Sequence, residues 1–118
     1  MLLTAVRDEF IFHCECRKLS PKTIKNYGKQ LDYLLNFLET EKSVRHIEDV
    51  EPKHIKAFLL SMTKAGRKAN YVNDLLKVYK VFFRYAYEEE YTETLLTAKI
   101  QNVKKPKVII LELSFSIP

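Results

Sequence analysis

The chain has 118 residues, of which 47% are hydrophobic and 30% are charged. A chain of this length forms one domain with its own hydrophobic core, and this composition excludes a disordered tail or a membrane protein. Only two glycines and four prolines are present, which argues against a turn-rich β-sandwich or barrel. Twenty basic and fifteen acidic residues give a net charge of +5, a modest excess whose distribution matters more than its size.

Neither a targeting segment nor a membrane span is expected. The apolar N-terminus reaches charged residues at Arg7 and Asp8, too early for the apolar region of a signal peptide. The longest uncharged run in the body of the chain, residues 57–63, is far shorter than the roughly 20 apolar residues of a membrane helix. We therefore expect a cytoplasmic protein that does not contact a membrane.

The two cysteines, Cys14 and Cys16, predict neither a disulfide nor a metal site. Because they are two positions apart on a predicted helix, they point to nearly opposite sides and cannot pair with each other. Together with His13 they would supply only part of a metal site, since no second ligand cluster completes four-coordination. We expect reduced thiols, no metal and no other cofactor.

Hydrophobic periodicity predicts four helices and therefore an all-α bundle. The clearest helix begins at Ser20, which is followed by a proline at the first helical position. Pro52 opens a later helix, which Gly66 is placed to end. The predicted helices cover residues 3–17, 20–39, 52–65 and 68–90. The predicted core includes Tyr27, Leu31, Leu35, Phe58, Leu75, Tyr79 and Phe82.

Two segments lie outside the helical pattern. Residues 40–51 are polar and acidic, and we interpret them as a loop that inserts three apolar side chains into the core. Residues 103–107 predict a basic linker. We expect a helical domain over residues 1–107. The tail over residues 108–118 is then either poorly ordered or paired with a neighbour as an edge strand.

Basic and acidic residues are segregated along the chain. Residues 18–29 contain four lysines and no acid, and residues 64–84 contain six basic residues and one acid. Residues 32–51, by contrast, contain six acids and two basic residues. The folded molecule should therefore have a basic side formed by the second and fourth helices and an acidic side formed by the segment between them.

Two helix faces combine lysine with asparagine. Lysine contacts phosphate as a mobile point charge, and asparagine can bind an adenine edge in the major groove. Both faces begin at a helix N-terminus, whose free N–H groups also favour phosphate. The alternative is an ordinary solvated face, and the residues alone leave both interpretations open. The face of the second helix contains Lys22, Lys25, Asn26 and Lys29, and that of the fourth contains Asn70, Asn73, Lys77, Lys80 and Arg84.

A search for catalytic motifs finds none. The sequence lacks a glycine-rich phosphate loop, a His-Glu-x-x-His motif and a nucleophile elbow. Its three histidines stand on separate predicted elements, and its seven tyrosines lack a convergent set of arginine and histidine. We predict no catalytic residue in this chain.

Three stretches resemble, in order, the core-binding domain of the tyrosine recombinases, the phage integrase family. The stretch LSPKTIKNY at residues 19–27, with the leucine stripe after it, resembles the second helix of that domain. The stretch IEDVEPKHI at 47–55 is similar to the segment that leads into its third helix, and residues 72–86 resemble its fourth. Each motif alone is a weak indication of the family, because it consists mostly of the apolar pattern of a helix. The three motifs occur in the family's order and at its separations over about residues 3–107, and this makes the resemblance specific.

The resemblance implies a four-helix SAM-like bundle that grips one side of a double-stranded DNA core attachment site. In this family a catalytic domain holds the other side, and the second and fourth helices present their N-terminal halves to the major groove. The resemblance therefore implies DNA contact by Lys22, Thr23, Lys25, Asn26, Asn70 and Asn73. Face geometry alone adds Lys29, Lys77, Lys80 and Arg84.

Two departures from the family pattern limit what the resemblance implies. Residues 93–96 replace the family's usual Asn-Pro, and the catalytic domain with its arginines, histidine and tyrosine is missing. We therefore predict the DNA-binding part of a phage- or transposon-type tyrosine recombinase, without strand cleavage, with other recombinase protomers as further partners. The alternative is a helical protein-interaction module with a solvated lysine face and residues 108–118 as a docking strand.

Overall fold

Four α-helices and one short 3-10 turn build the fold of residues 1–104, the part of the chain that the computed structural model describes. The predicted all-α class is confirmed, because these residues form no strand beyond an isolated bridge between Leu2 and His46. The predictions for residues 105–118 lie outside the described residues. The elements are α1 (Leu3–Cys16), α2 (Pro21–Lys42), the 3-10 turn Ile47–Asp49, α3 (Pro52–Lys64) and α4 (Ala69–Glu88).

Helix α2 begins as the sequence predicts and ends one turn later. Ser20 is its N-cap, with Oγ accepting a 3.1 Å bond from the Thr23 backbone N–H, and Pro21 follows at the first position. The predicted end at Glu39 was too early, since the apolar stripe stops at Leu38 while the backbone continues to Lys42. A basic residue in the last turn suits the negative end of the helix dipole.

The segment after α2 inserts its apolar side chains as predicted. Val44, Ile47 and Val50 are all buried in the core, the last two at the start and end of the 3-10 turn. The backbone of this segment also holds the N-terminus of α1, because the Leu3 N–H donates to the Arg45 carbonyl at 2.8 Å. The segment therefore closes the end of the bundle at which α1 begins.

Every α-helix is followed by a residue with positive φ, and only one of the four is a glycine. Gly66 has φ 91° and ends α3 as predicted, with the Arg67 N–H donating to the Met62 carbonyl at 3.1 Å. This is the 6→1 bond of a Schellman motif. The other helices end with side-chain-bearing residues in the same conformation, namely Lys18, Ser43 and Glu90.

Helices α2 and α4 each contact all the other helices, and α4 contributes the most buried side chains to the core. Tyr79, Phe82 and Phe83 are inaccessible to solvent. Six of the seven predicted core residues are buried, the exception being Tyr27, which is half-buried at the edge of the bundle. Its ring stacks on Phe10 of α1 with centroids 6.0 Å apart.

After α4 the chain turns back and covers the bundle. Three consecutive acids at the end of α4 oppose the helix dipole, but this end is held by tertiary contact. The hydroxyl of Tyr91 donates a hydrogen bond to the Glu9 carboxylate of α1, and this bond raises the pKa of Tyr91 to about 12. Leu96 and Ile100 are then buried, so residues 91–103 form a packed return segment.

Candidate nucleic-acid interface

Most of the predicted DNA-facing side chains are exposed on α2 and α4. Only Thr23 and Asn73 are half-buried. The six predicted cations form no ion pair with any carboxylate of residues 1–104, whereas Arg7, Arg45 and Lys53 each do. Their charge is therefore available to an anion from outside. These six are Lys22, Lys25, Lys29, Lys77, Lys80 and Arg84.

The acidic side of the molecule is largely neutralised by comparison. Glu39 pairs with Arg45 at 3.3 Å, Glu51 with Lys53 at 3.7 Å, and Glu48 with the N-terminal ammonium at 2.6 Å. The hydrogen bond from that ammonium also lowers the pKa of Glu48. On the acidic side several carboxylates are thus held in ion pairs, whereas the six predicted cations of the basic side form none with residues 1–104.

Helices α2 and α4 run antiparallel, which decides how their basic faces combine. The first half of α2 and the second half of α4 meet at a cavity of about 360 Å³, lined by Tyr27, Lys80 and Arg84. The other ends of the two helices meet at a cavity of about 600 Å³, lined by Thr40 and Tyr71. Lys80 and Arg84 therefore lie beside the start of α2, whereas Asn70 lies at the opposite end of the bundle.

Between these two ends, a hydrogen bond fixes one helix against the other. The hydroxyl of Tyr79 donates to the backbone carbonyl of Gln30 at 2.8 Å. Burial raises the pKa of Tyr79 well above its usual range, so this hydroxyl stays neutral and can donate throughout the physiological range. The bond fixes the spacing of the two basic faces along the axis of the bundle.

Gly28 allows α1 to approach α2. A Cβ at this position would lie 2.8 Å from Nη2 of Arg7. That guanidinium crosses from α1 and binds the Asp32 carboxylate, with Nη2 donating to Oδ2 at 3.2 Å. The absent side chain thus makes room for a cation that is already paired, rather than for a nucleic acid.

Lys25 and Lys29 lie on the α1 side of α2. They line a cavity of about 590 Å³ together with Gly28 and Ile24. Lys22 and Asn26 are exposed at the beginning of the same helix. The predicted face of α2 is therefore a broad surface around its first two turns.

Thr23 is held in the N-terminal cap of α2. The Ser20 hydroxyl donates to the Thr23 hydroxyl at 2.9 Å and accepts from its backbone N–H. The Thr23 hydroxyl hydrogen stays free to donate to a phosphate.

The structure places Asn73 in an unexpected contact. Its Nδ2 donates to the backbone carbonyl of Val103 at 3.0 Å, and its Oδ1 accepts from the Val103 N–H at 2.7 Å. Both groups that would bind an adenine edge are therefore used within the protein. One amide hydrogen and one lone pair remain, but they lie on opposite outer sides of the amide and diverge, so they cannot make the same bidentate bond to one base.

Three basic residues that were not predicted as site residues lie next to the predicted faces. Arg17, at the end of α1, lines the same cavity as Lys80 and Arg84. Arg67 and Lys68 precede α4, and the Arg67 guanidinium lies 5.1 Å from the centroid of the Tyr71 ring. Periodicity within one helix does not show which residues outside that helix become its neighbours. It therefore could not predict that these three residues lie beside the two faces.

The histidine, cysteine and acidic side chains of residues 1–104 form no metal site. No group of three or more His, Cys, Asp or Glu residues is placed there to hold a metal ion. Cys14 is buried, and this burial raises the pKa of its thiol. The helices of this part of the chain also include none that is long and apolar enough to cross a membrane.

Comparison with known proteins identifies the fold. The chain is similar to a lambda integrase whose crystal structure is that of a dimer bound to a COC′ core site, with 21% identity and a TM-score of 0.73. The match covers 91% of this chain and 37% of that one, so the chain spans little more than a third of that relative's length. No curated protein matches. The family model for the phage integrase N-terminal SAM-like domain matches residues 6–93, and the chain therefore belongs to this family.

Proposed function

We propose that this chain is the DNA-binding part of a phage- or transposon-type tyrosine recombinase and that it grips a core attachment site in double-stranded DNA. The observation that carries the proposal is the set of six exposed cations on α2 and α4 without a carboxylate partner among residues 1–104. Duplex DNA carries a negative charge about every 1.7 Å of its axis, so such a surface binds it by releasing counterions.

Because α2 and α4 are antiparallel, we propose different DNA contacts at the two ends of the bundle. The start of α2 carries the exposed Lys22 and Lys25, and the second half of α4, which lies beside it, carries the exposed Lys80 and Arg84. We propose that these cations contact phosphates across a groove. Asn26 is exposed within this group and is the residue best placed to bind a base edge there. Asn70 would act at the other end of the bundle.

Strand cleavage would require the catalytic domain of the family, which the resemblance assigns to a separate part of the recombinase. We therefore propose binding without catalysis by this chain, in the cytoplasm, where its reduced thiols would be stable. Other recombinase protomers are further proposed partners, since the lambda integrase was crystallised as a dimer on its core site.

Fluorescence anisotropy with a labelled 30-bp duplex of mixed sequence tests the proposal directly. The wild type should bind at physiological salt with the Kd typical of non-specific contacts, roughly 10⁻⁴ to 10⁻⁶ M, and more tightly at 50 mM salt. The double variant Lys25→Glu, Lys80→Glu should lose most of this affinity.

A matched control separates the surface from the net charge. The double variant Lys42→Glu, Lys56→Glu makes the same change in charge away from the proposed surface and should bind almost as the wild type does. Equal losses in the two double variants would show that only net charge matters. Absence of binding by the wild type would reject DNA binding and favour the protein-interaction module.

A further inference from the structure

The two hydrogen bonds of Asn73 join residues that are 30 positions apart. The side-chain amide presents one donor and one acceptor to the backbone of Val103, as a neighbouring strand would. Asn73 lies in the first turns of α4, on the stripe that also carries Lys77 and Lys80. The bond thus connects the proposed DNA-binding helix to the end of the return segment.

The return segment carries the chain from the C-terminal end of α4 back to Asn73 near its start. Helix α4 ends at Glu88, and Asn73 lies 15 residues earlier, which is about 22 Å at 1.5 Å per residue. The return segment covers this distance, with Leu96 and Ile100 buried on the way. Asn73 is the last side chain in the described structure to hold it by hydrogen bonds.

The return brings a further lysine to the start of α4. Lys104 lines a cavity of about 480 Å³ together with Val103, Asn70, Lys68 and Arg67. We call Arg67, Lys68 and Lys104 the exit cluster. None of the three pairs with a carboxylate of residues 1–104.

We propose that Asn73 is a positioning residue that clamps the end of the return segment at Val103. This clamp holds Lys104 next to Arg67 and Lys68, so that the exit cluster forms a second phosphate-binding surface. This inference rests on the proposed DNA-binding function. It adds a contact outside the two helix faces, made by residues from three parts of the chain. Arg67 suits this phosphate-binding surface because the guanidinium stacks on the Tyr71 ring, which leaves its edges free for a bidentate phosphate contact.

Asparagine fits the clamp better than other side chains of similar size. Aspartate can accept from the Val103 N–H but cannot donate to its carbonyl, and serine offers only a single hydroxyl. Without these two hydrogen bonds, the backbone of Val103 would no longer be held at a fixed position beside α4. Lys104, which follows directly, would then be free to move away from Arg67 and Lys68.

The clamp itself is tested by amide hydrogen exchange without DNA. In Asn73→Ala the Val103 amide should exchange about tenfold faster than in the wild type, while amides in the middle of α2 and α4 remain unchanged. Asn73→Asp keeps the acceptor and should lie between the two. Unchanged exchange at Val103 in both variants would overturn the clamp whether or not the protein binds DNA.

The second surface is tested by a double-mutant cycle with the 30-bp mixed-sequence duplex. Lys104→Ala should flatten the slope of log affinity against log salt by about 0.9, the value for one phosphate, in the wild-type background. In the Asn73→Ala background the same change should have almost no effect, because Lys104 is already released.

Each outcome of the cycle distinguishes this inference from the proposed function. If Lys104→Ala flattens the slope equally in both backgrounds, Lys104 acts without the clamp and the inference is wrong. If Lys104→Ala has no effect while Lys25→Glu weakens binding, DNA binding stands and the exit cluster is rejected. Lys56→Ala, an exposed lysine of α3, is the matched control and should leave the slope unchanged.

Discussion

The hydroxyl of Tyr79 on α4 donates a hydrogen bond of 2.8 Å to the backbone carbonyl of Gln30 on α2. Tyr79 is inaccessible to solvent, and the carbonyl belongs to a residue directly after Lys29. One buried side chain therefore both fills the core and fixes the two proposed DNA-binding helices against each other. Stability and the spacing of the basic faces depend on the same contact.

Tyr79→Phe should lower the free energy of unfolding by about 1 kcal/mol, the typical net value of one hydrogen bond. The ring still fills the core, and the Gln30 carbonyl keeps its place within α2, so a larger loss is not expected. Urea denaturation followed by circular dichroism measures the change. A loss above about 3 kcal/mol would mean that the hydroxyl holds more of the packing than this single bond.

Leu31→Ala should cost about 2–5 kcal/mol, as large-to-small changes in cores generally do. Leu31 is fully buried, whereas Leu60 on α3 is 53% exposed, so Leu60→Ala serves as the matched control and should change stability little. Both values come from the same urea titration. A loss below about half a kcal/mol for Leu31→Ala would contradict the assignment of the apolar face of α2.

Periodicity was enough to predict the helices and most of the core, because burial repeats with the helical period in each segment. It could not predict that Asn73 binds Val103. Asn73 shares the spacing of Lys77 and Lys80, and its partner lies in a segment without helical pattern. The grouping of Arg17 with Lys80 and Arg84 was missed for a related reason, since it depends on how the end of α1 packs beside α4.

Glu90→Gly should stabilise the protein by roughly 0.5–1 kcal/mol. Glu90 has φ 65°, a conformation that costs a residue with a side chain about 1–2 kcal/mol, and part of this gain is offset by the greater freedom of glycine when unfolded. The change also removes an acid from the negative end of α4.

A thermal melt followed by circular dichroism measures this effect, and Glu93→Gly, outside any helix end, is the control. The reverse change at α3, Gly66→Ala, should destabilise the protein, because Gly66 has φ 91° although no atom would contact the added Cβ. Equal melting temperatures for Glu90→Gly and the wild type would show that the Tyr91 to Glu9 contact already determines how α4 ends.

The salt dependence of DNA binding gives the most direct count of the phosphate contacts. If about five of the six cations predicted on the faces of α2 and α4 meet phosphates, log affinity should fall against log salt with a slope near −4.5. Affinity should then drop roughly 500-fold between 50 and 200 mM salt. Lys25→Glu and Lys77→Glu should each flatten the slope by about one and weaken all sequences alike, because phosphate contacts carry no sequence information.

Asn26→Ala should leave this slope unchanged and reduce only the preference among sequences, because asparagine binds a base edge. Sequences selected from a random 30-bp duplex pool by the wild type provide the comparison. Lys42→Glu is the control for charge reversal on the acidic side, and it is preferred to Arg45→Glu because Arg45 pairs with Glu39. If Lys42→Glu flattens the slope as much as Lys25→Glu does, the DNA-binding surface is not the one formed by α2 and α4.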